Sequence, residues 1–91
     1  MAAHEERFSQ LYERHVEAVR RYVWRREPVA CDDVVAETFL IAWRRIDDSP
    51  VDELPWLIGV ARNVLLNMQR SARRQNALAR RLADKEPQIP R

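Results

Sequence analysis

LPWLIGVARNVLLNMQRSARR, residues 54–74, mixes many apolar residues with a tryptophan, two asparagines, the chain's single glycine and the start of a basic run. At the helical advance of about 100° per residue, Leu57, Val60, Ala61, Val64 and Met68 share one face, which Ala72, Gln75, Leu78, Ala79 and Leu82 continue. The spacing predicts a helix from Pro55 to about Leu82, with proline placed in the first turn, where its missing N–H is harmless. Trp56, Asn63, Asn67, Arg70, Arg74 and Arg81 fall within about 60° of one another, well away from the apolar face. One edge of this helix therefore carries an aromatic ring, two amides and a series of guanidiniums, with Arg73 beside them. Stacking, base-edge reading and phosphate contact are what a single-stranded nucleic acid requires of a protein. Gly59 lies near the same edge and costs a helix about 1 kcal/mol against alanine, so it marks a place where a ligand could approach the backbone. The competing reading is a solvated helix with a structural tryptophan at its start.

Two more helices precede this one. Phe8, Leu11, Tyr12, His15, Val19, Tyr22, Val23 and Arg26 occupy a sector of about 120°, which predicts an amphipathic helix over 5–26. Pro28 ends it by disfavouring helical geometry at Glu27. His15 falls on the core stripe and reads as a packed, hydrogen-bonded side chain. Trp24 lies opposite that stripe, near Arg20 and Arg21, with no partner on its own helix.

DDVVAETFLIAWRRI, residues 32–46, opens on two acids suited to a helix N-terminus, Asp32 as the cap and Asp33 for the dipole. Val35, Thr38, Phe39, Ala42 and Ile46 form its core stripe. Leu40 then lies almost diametrically opposite, flanked by Asp33, Glu37 and Arg44, with Ala36 and Trp43 on an adjoining shoulder. An apolar ridge rimmed by charge on the outside of an amphipathic helix suits a protein partner. Trp43 could instead pack against a neighbouring helix. Between the second and third helices, DDSPVDELPW reads as a loop of about nine residues held by two prolines, with Ser49 and Asp52 bracketing a single helical turn.

The chain has 91 residues, 46% of them apolar and 33% charged, enough for one small domain with a modest core. The fold class expected is all-α, a compact bundle of three main helices with a short helical turn before the third. Residues 1–53 hold 8 Arg against 12 Asp and Glu (net −4), whereas residues 54–91 hold 8 Arg and Lys against 2 acids (net +6). This polarity suits a polyanion at one end and a basic partner at the other. No apolar run approaches the roughly 18 residues of a membrane span, and the N-terminus lacks a signal-peptide core, so a cytoplasmic protein with no membrane partner is expected. The single cysteine, Cys31, precludes an internal disulfide and reads as a small structural residue. With His4 and His15 it gives no metal-ligand spacing, and no catalytic cluster or phosphate loop is present; no cofactor and no enzymatic activity are expected.

Taken in order, FSQLYERHVEAVRRYV, DDVVAETFLIAWRRI and LPWLIGVARNVLLNMQRSARR resemble region 2 of the extracytoplasmic-function (ECF) sigma factors, of the sigma-70 family, over residues 8 to about 82. The resemblance implies a bacterial, nucleoid-associated transcription-initiation module that binds the clamp helices of the RNA polymerase β′ subunit. It also implies recognition and melting of the promoter −10 element by capture of flipped non-template bases. By motif it nominates Asp33, Ala36, Glu37, Leu40, Trp43 and Arg44 for polymerase binding, although Ala36 stands where the family usually has glutamine. It nominates the loop from Asp47 to Leu54, including Asp48 and Ser49, as the base pocket, with Trp56 and Asn63 at its edge. Asn67, Arg70, Arg73 and Arg74 complete the DNA-binding set. Many members of the family that the chain resembles are held inactive by an anti-sigma factor, which makes such a factor a candidate partner. The expected boundaries are region 2 over 1–83 and the start of a linker over 84–91, with the family's second DNA-binding domain, region 4, absent. A helical protein–protein adaptor with an incidental basic edge remains the alternative.

Overall fold

In the computed structural model, residues 2–85 are described, and they form helices α1 (Ala2–Arg26), α2 (Cys31–Arg44) and α3 (Glu53–Lys85), with a 3₁₀ turn over Ile46–Asp48. The described chain is all-α, as the periodicities predict. Leu11, Val19 and Val23 of α1 meet Cys31, Val34, Val35, Thr38, Phe39 and Ala42 of α2, Ile46 of the turn and Leu57, Ala61 and Leu65 of α3 in one core. Val16, Val34 and Leu65 lie outside the stripes computed from sequence yet pack in or against this core. Each helix touches two neighbours, so its buried sector is wider than one stripe. Thr38, fully buried, satisfies its hydroxyl by donating to the Val34 carbonyl at 2.7 Å.

Pro28 ends α1 as expected, and the following turn is tied by the Ala30 N–H donating to Glu27 Oε2 at 3.3 Å. Asp32 is not the cap. The N-cap position is Ala30, without a side-chain cap bond, because the turn after Pro28 starts the helix at Cys31 and so places Asp32 inside the first turn. There Asp32 accepts from Arg20 Nη1 at 2.7 Å. That hydrogen bond raises the Arg20 pKa further above its ordinary value. The pair is largely solvent-exposed, so it contributes little to stability.

The loop also differs from its sequence reading. The helical turn precedes Ser49 instead of following it. Pro50 drives Ser49 into extended geometry (φ −64°, ψ 133°), and the Ser49 hydroxyl closes the turn by donating to the Ile46 carbonyl at 2.8 Å. α3 begins at Glu53, two residues before Pro55, which still falls in the first turn.

The largest departure concerns the second half of α3. Ala72, Gln75, Leu78, Ala79 and Leu82, read as core, are all exposed, Leu78 at 55% and Leu82 at 61%. α3 has 33 residues against 25 and 14 for the helices that cover it, so beyond Ser71 it runs past the bundle. The overhang gives the molecule its 67 × 28 × 18 Å extents. Helix continues through Asp84 and Lys85, the first two residues read as linker; the rest of that stretch, 86–91, lies outside the described residues. A chain ending at Asn76 should therefore keep its unfolding free energy within about 1 kcal/mol, as for loss of surface groups. A urea melt checks this, and a loss of several kcal/mol would show that the overhang is part of the core.

Candidate nucleic-acid interface

The polar edge of α3 forms as the helical phase predicts. Asn63, Asn67, Arg70, Arg73, Arg74 and Arg81 are exposed, and Trp56 is half-buried at the start of the row. Trp56 rests against the core on one side, which fixes its ring and leaves one part open. Arg62, Arg70, Arg73, Arg74, Arg80 and Arg81 make no ion pair among the described residues. Their charge is available to a polyanion. Arg70 Nη1 donates to Asn67 Oδ1 at 3.4 Å and Arg74 Nη2 to Ser71 Oγ at 3.2 Å. Asn67 thus has its acceptor partly engaged, whereas Asn63 keeps donor and acceptor free for a base edge.

Trp56 and Asn63 line an open groove of about 440 Å³ together with Arg45, Pro55, Gly59, Val60 and Arg62. Arg45 and Arg62 escape the sequence reading. Helical adjacency could have flagged Arg62, which lies one turn beyond Gly59, but Arg45 reaches the groove only through the packing of the end of α2 against α3. A Cβ built on Gly59 meets nothing within 4 Å. The bundle itself therefore has no steric need for glycine there.

Asp47, Asp48 and Ser49 are not among the residues lining this groove. α1 instead holds Ser49 and approaches Asp47. Arg7 Nη2 donates to Ser49 Oγ at 2.7 Å. His4 Nε2 donates to the Trp43 carbonyl at 3.1 Å and sets its Nδ1 3.9 Å from Asp47 Oδ1, an attraction that requires the doubly protonated ring. Further along, Arg14 Nη1 donates to Glu53 Oε1 at 3.0 Å, and His15 Nε2 meets the same oxygen at 3.0 Å. His15 is thus the packed, hydrogen-bonded histidine expected.

Along α2, Asp33, Ala36, Glu37, Leu40, Trp43 and Arg44 are all exposed. Leu40 is 42% exposed and Trp43 36%. Trp43 is shared between two roles that the sequence leaves open. Its ring stands edge-on to His4 at 4.4 Å and to Phe8 at 5.3 Å, while the rest faces solvent beside Leu40. Trp24 stands apart from both surfaces, walling a groove of about 320 Å³ with Arg20, Arg21, Arg25, Cys31 and Asp32.

Among the described residues, no helix is long and apolar enough to cross a membrane. Comparison with known proteins gives this arrangement a lineage. Residues 11–75 match sigma-70 region 2. Proteins described as ECF RNA polymerase sigma factor SigL, from three strains of Mycobacterium tuberculosis, are 37% identical over 73 residues, covering 75% of this chain. The chain spans 41% of the length of those relatives. No solved structure gave a significant match. The matched span runs from Leu11, the first core leucine of α1, through Arg74 of the polar edge, and on that match the chain belongs to the sigma-70 family, as a region 2 domain of the extracytoplasmic-function group.

Proposed function

We propose that this domain acts in transcription initiation by two faces, α2 docking on the clamp helices of the RNA polymerase β′ subunit and α3 capturing the non-template strand of the promoter −10 element. The observation that carries the DNA half is the continuous edge of α3, where a fixed tryptophan, a free amide and unpaired guanidiniums follow one another beside an open groove. A base leaving the duplex loses stacking and pairing worth a few kcal/mol, and stacking on Trp56 with hydrogen bonds from Asn63 offsets that cost. Arg70, Arg73 and Arg74 hold the flanking phosphates without regard to sequence. Arg45 and Arg62 place two further cations at the groove, where a phosphate next to the captured base would lie. The polymerase half rests on the exposed Leu40 and Trp43 ridge, whose burial against another helix supplies apolar area, and on Asp33 and Glu37, which complement a basic partner. Family membership supports a location in the bacterial cytoplasm and makes an anti-sigma factor a candidate ligand for the same faces. No step requires a cofactor.

Gly59 gives a test with opposite signs. Gly59→Ala should stabilise the fold by about 1 kcal/mol, since helix propensity improves and the methyl group meets open space. For a domain of this size that raises the melting temperature by roughly 4–8 °C. The same methyl group obstructs a strand lying on the helix backbone, so affinity for single-stranded DNA should fall several-fold. A variant that is both more stable and an equal binder would show that no strand approaches Gly59. The adaptor reading draws on one observation, the exposed Leu78 and Leu82 of the overhang. It predicts DNA binding without the steep salt dependence that phosphate contacts confer.

A further inference from the structure

The groove between Arg45 and Trp56 has walls on two different elements, the end of α2 and the start of α3, joined by a loop whose tip is free: Val51 is fully exposed. Prolines at 50 and 55 restrict the backbone locally but do not fix the distance between the walls. α1 makes that connection. Arg7 grips Ser49, whose hydroxyl is bonded to the carbonyl of Ile46, the residue next to Arg45. Arg14 and His15 grip Glu53, which opens α3 two residues before Pro55 and three before Trp56. His4 holds the Trp43 carbonyl, two residues before Arg45. All four gripping side chains lie within about 100° on α1, Arg7 and Arg14 at the edge of the core stripe and His4 and His15 within it. The contacts span 38 to 42 residues of sequence and involve charged or imidazole donors, so each is directional and none duplicates an apolar contact.

We propose that Arg7, Arg14 and His15 are positioning residues: α1 is a strut that sets the width of the Arg45–Trp56 groove, and through it the discrimination among captured bases. None of the three lines the groove or sits on the α3 edge. The consequence for base discrimination rests on the base-capture reading above; the positioning itself does not. The Arg7–Ser49 and Arg14–Glu53 bonds lie at the surface and contribute little to global stability, so Arg7→Ala alters the groove and leaves the fold intact, whereas His15 is packed and its truncation also costs side-chain contacts.

The test uses the full 91-residue chain labelled with 5-fluorotryptophan, which gives separate fluorine resonances for Trp24, Trp43 and Trp56. Arg7→Ala and a double Arg14→Ala, His15→Ala variant should each shift or broaden the Trp56 resonance and leave Trp24 unmoved. Arg7→Lys, which retains a donor for Ser49, should restore much of the parent signal. The second readout uses fluorescein-labelled single strands selected by the parent chain from a random DNA pool, each with an abasic site introduced at one position in turn. Where the abasic site weakens parent binding about tenfold or more, Arg7→Ala should reduce that penalty to about two- to threefold, while affinity for the abasic strand stays unchanged. A Trp56 resonance that ignores all three substitutions overturns the positioning role, and an abasic penalty of full size in Arg7→Ala overturns its effect on base discrimination. If Trp56 responds and Arg7→Lys rescues it, but no position of the parent's strands is sensitive to base removal, the strut stands and base capture is the reading that fails.

Discussion

Leu40→Asp should abolish capture of the β′ clamp helices while the domain stays folded. Leu40 is 42% exposed and faces away from the core, so the substitution empties no cavity and buries no charge. The expected change in unfolding free energy is within about 1 kcal/mol, most of it the poorer helix propensity of aspartate. In the complex the same position would be an apolar anchor at the centre of a ridge, with Trp43 one turn on. A buried carboxylate there faces an apolar surface without a partner, and desolvation alone is enough to cost at least about a hundredfold in affinity. Surface capture of a clamp-helix fragment, run beside a thermal melt, checks both halves. A melting temperature that collapses with binding would place Leu40 in the core, and undiminished capture would move the polymerase face elsewhere.

The second large effect separates the two chemistries on α3. Asn63→Ala should leave binding to random strands nearly intact and cut the preference for the selected −10 sequence by about 1–3 kcal/mol, the discrimination expected of one bidentate contact. Asn63 is the better choice for this than Asn67, whose Oδ1 already accepts from Arg70. Arg74→Ala should do the reverse. It weakens all strands alike and lowers the slope of log affinity against log salt by roughly 0.7, as for one phosphate contact on a single strand. Anisotropy titrations of both variants at several salt concentrations show which residue carries sequence information. If Asn63→Ala weakens every strand equally, the edge is only an electrostatic patch.

Both faces are legible in the sequence because each lies on a single helix. Periodicity is local, so it places Leu40 opposite Phe39's side of α2, and aligns Trp56 with Asn63 and Arg74, without knowledge of what packs where. Sequence periodicity misleads where the answer depends on a neighbour. Leu78 and Leu82 continue the apolar phase of α3 faithfully, yet nothing among the described residues buries them, because coverage depends on the lengths of α1 and α2. Asp32 is a good capping residue in the wrong register, since the turn after Pro28 decides where α2 starts. Ser49 likewise closes a turn that its spacing to Asp52 suggests it opens. Arg45, and the grip of α1 on the loop, depend on contacts between residues about 40 positions apart, which no helical spacing encodes. Family resemblance marks the loop before α3 as functional. It does not reveal that Asp47, Asp48 and Ser49 are absent from the groove's lining while Arg45 and Arg62 form part of it.

Base capture makes one demand that simple attraction to DNA does not. A domain that binds bases outside the stack must prefer a strand whose bases are already free, because a duplex subtracts the cost of unpairing from every binding event. An electrostatic surface has the opposite preference, since duplex DNA concentrates about twice the phosphate charge along its axis. The most direct measurement is therefore an equilibrium titration of this chain against one labelled strand, selected for binding, and against the same strand annealed to its complement, at matched salt. Under base capture the single strand binds at least about tenfold more tightly, as a few kcal/mol of unpairing requires, and the gap persists as salt is raised. Equal binding, or tighter binding of the duplex, would contradict base capture.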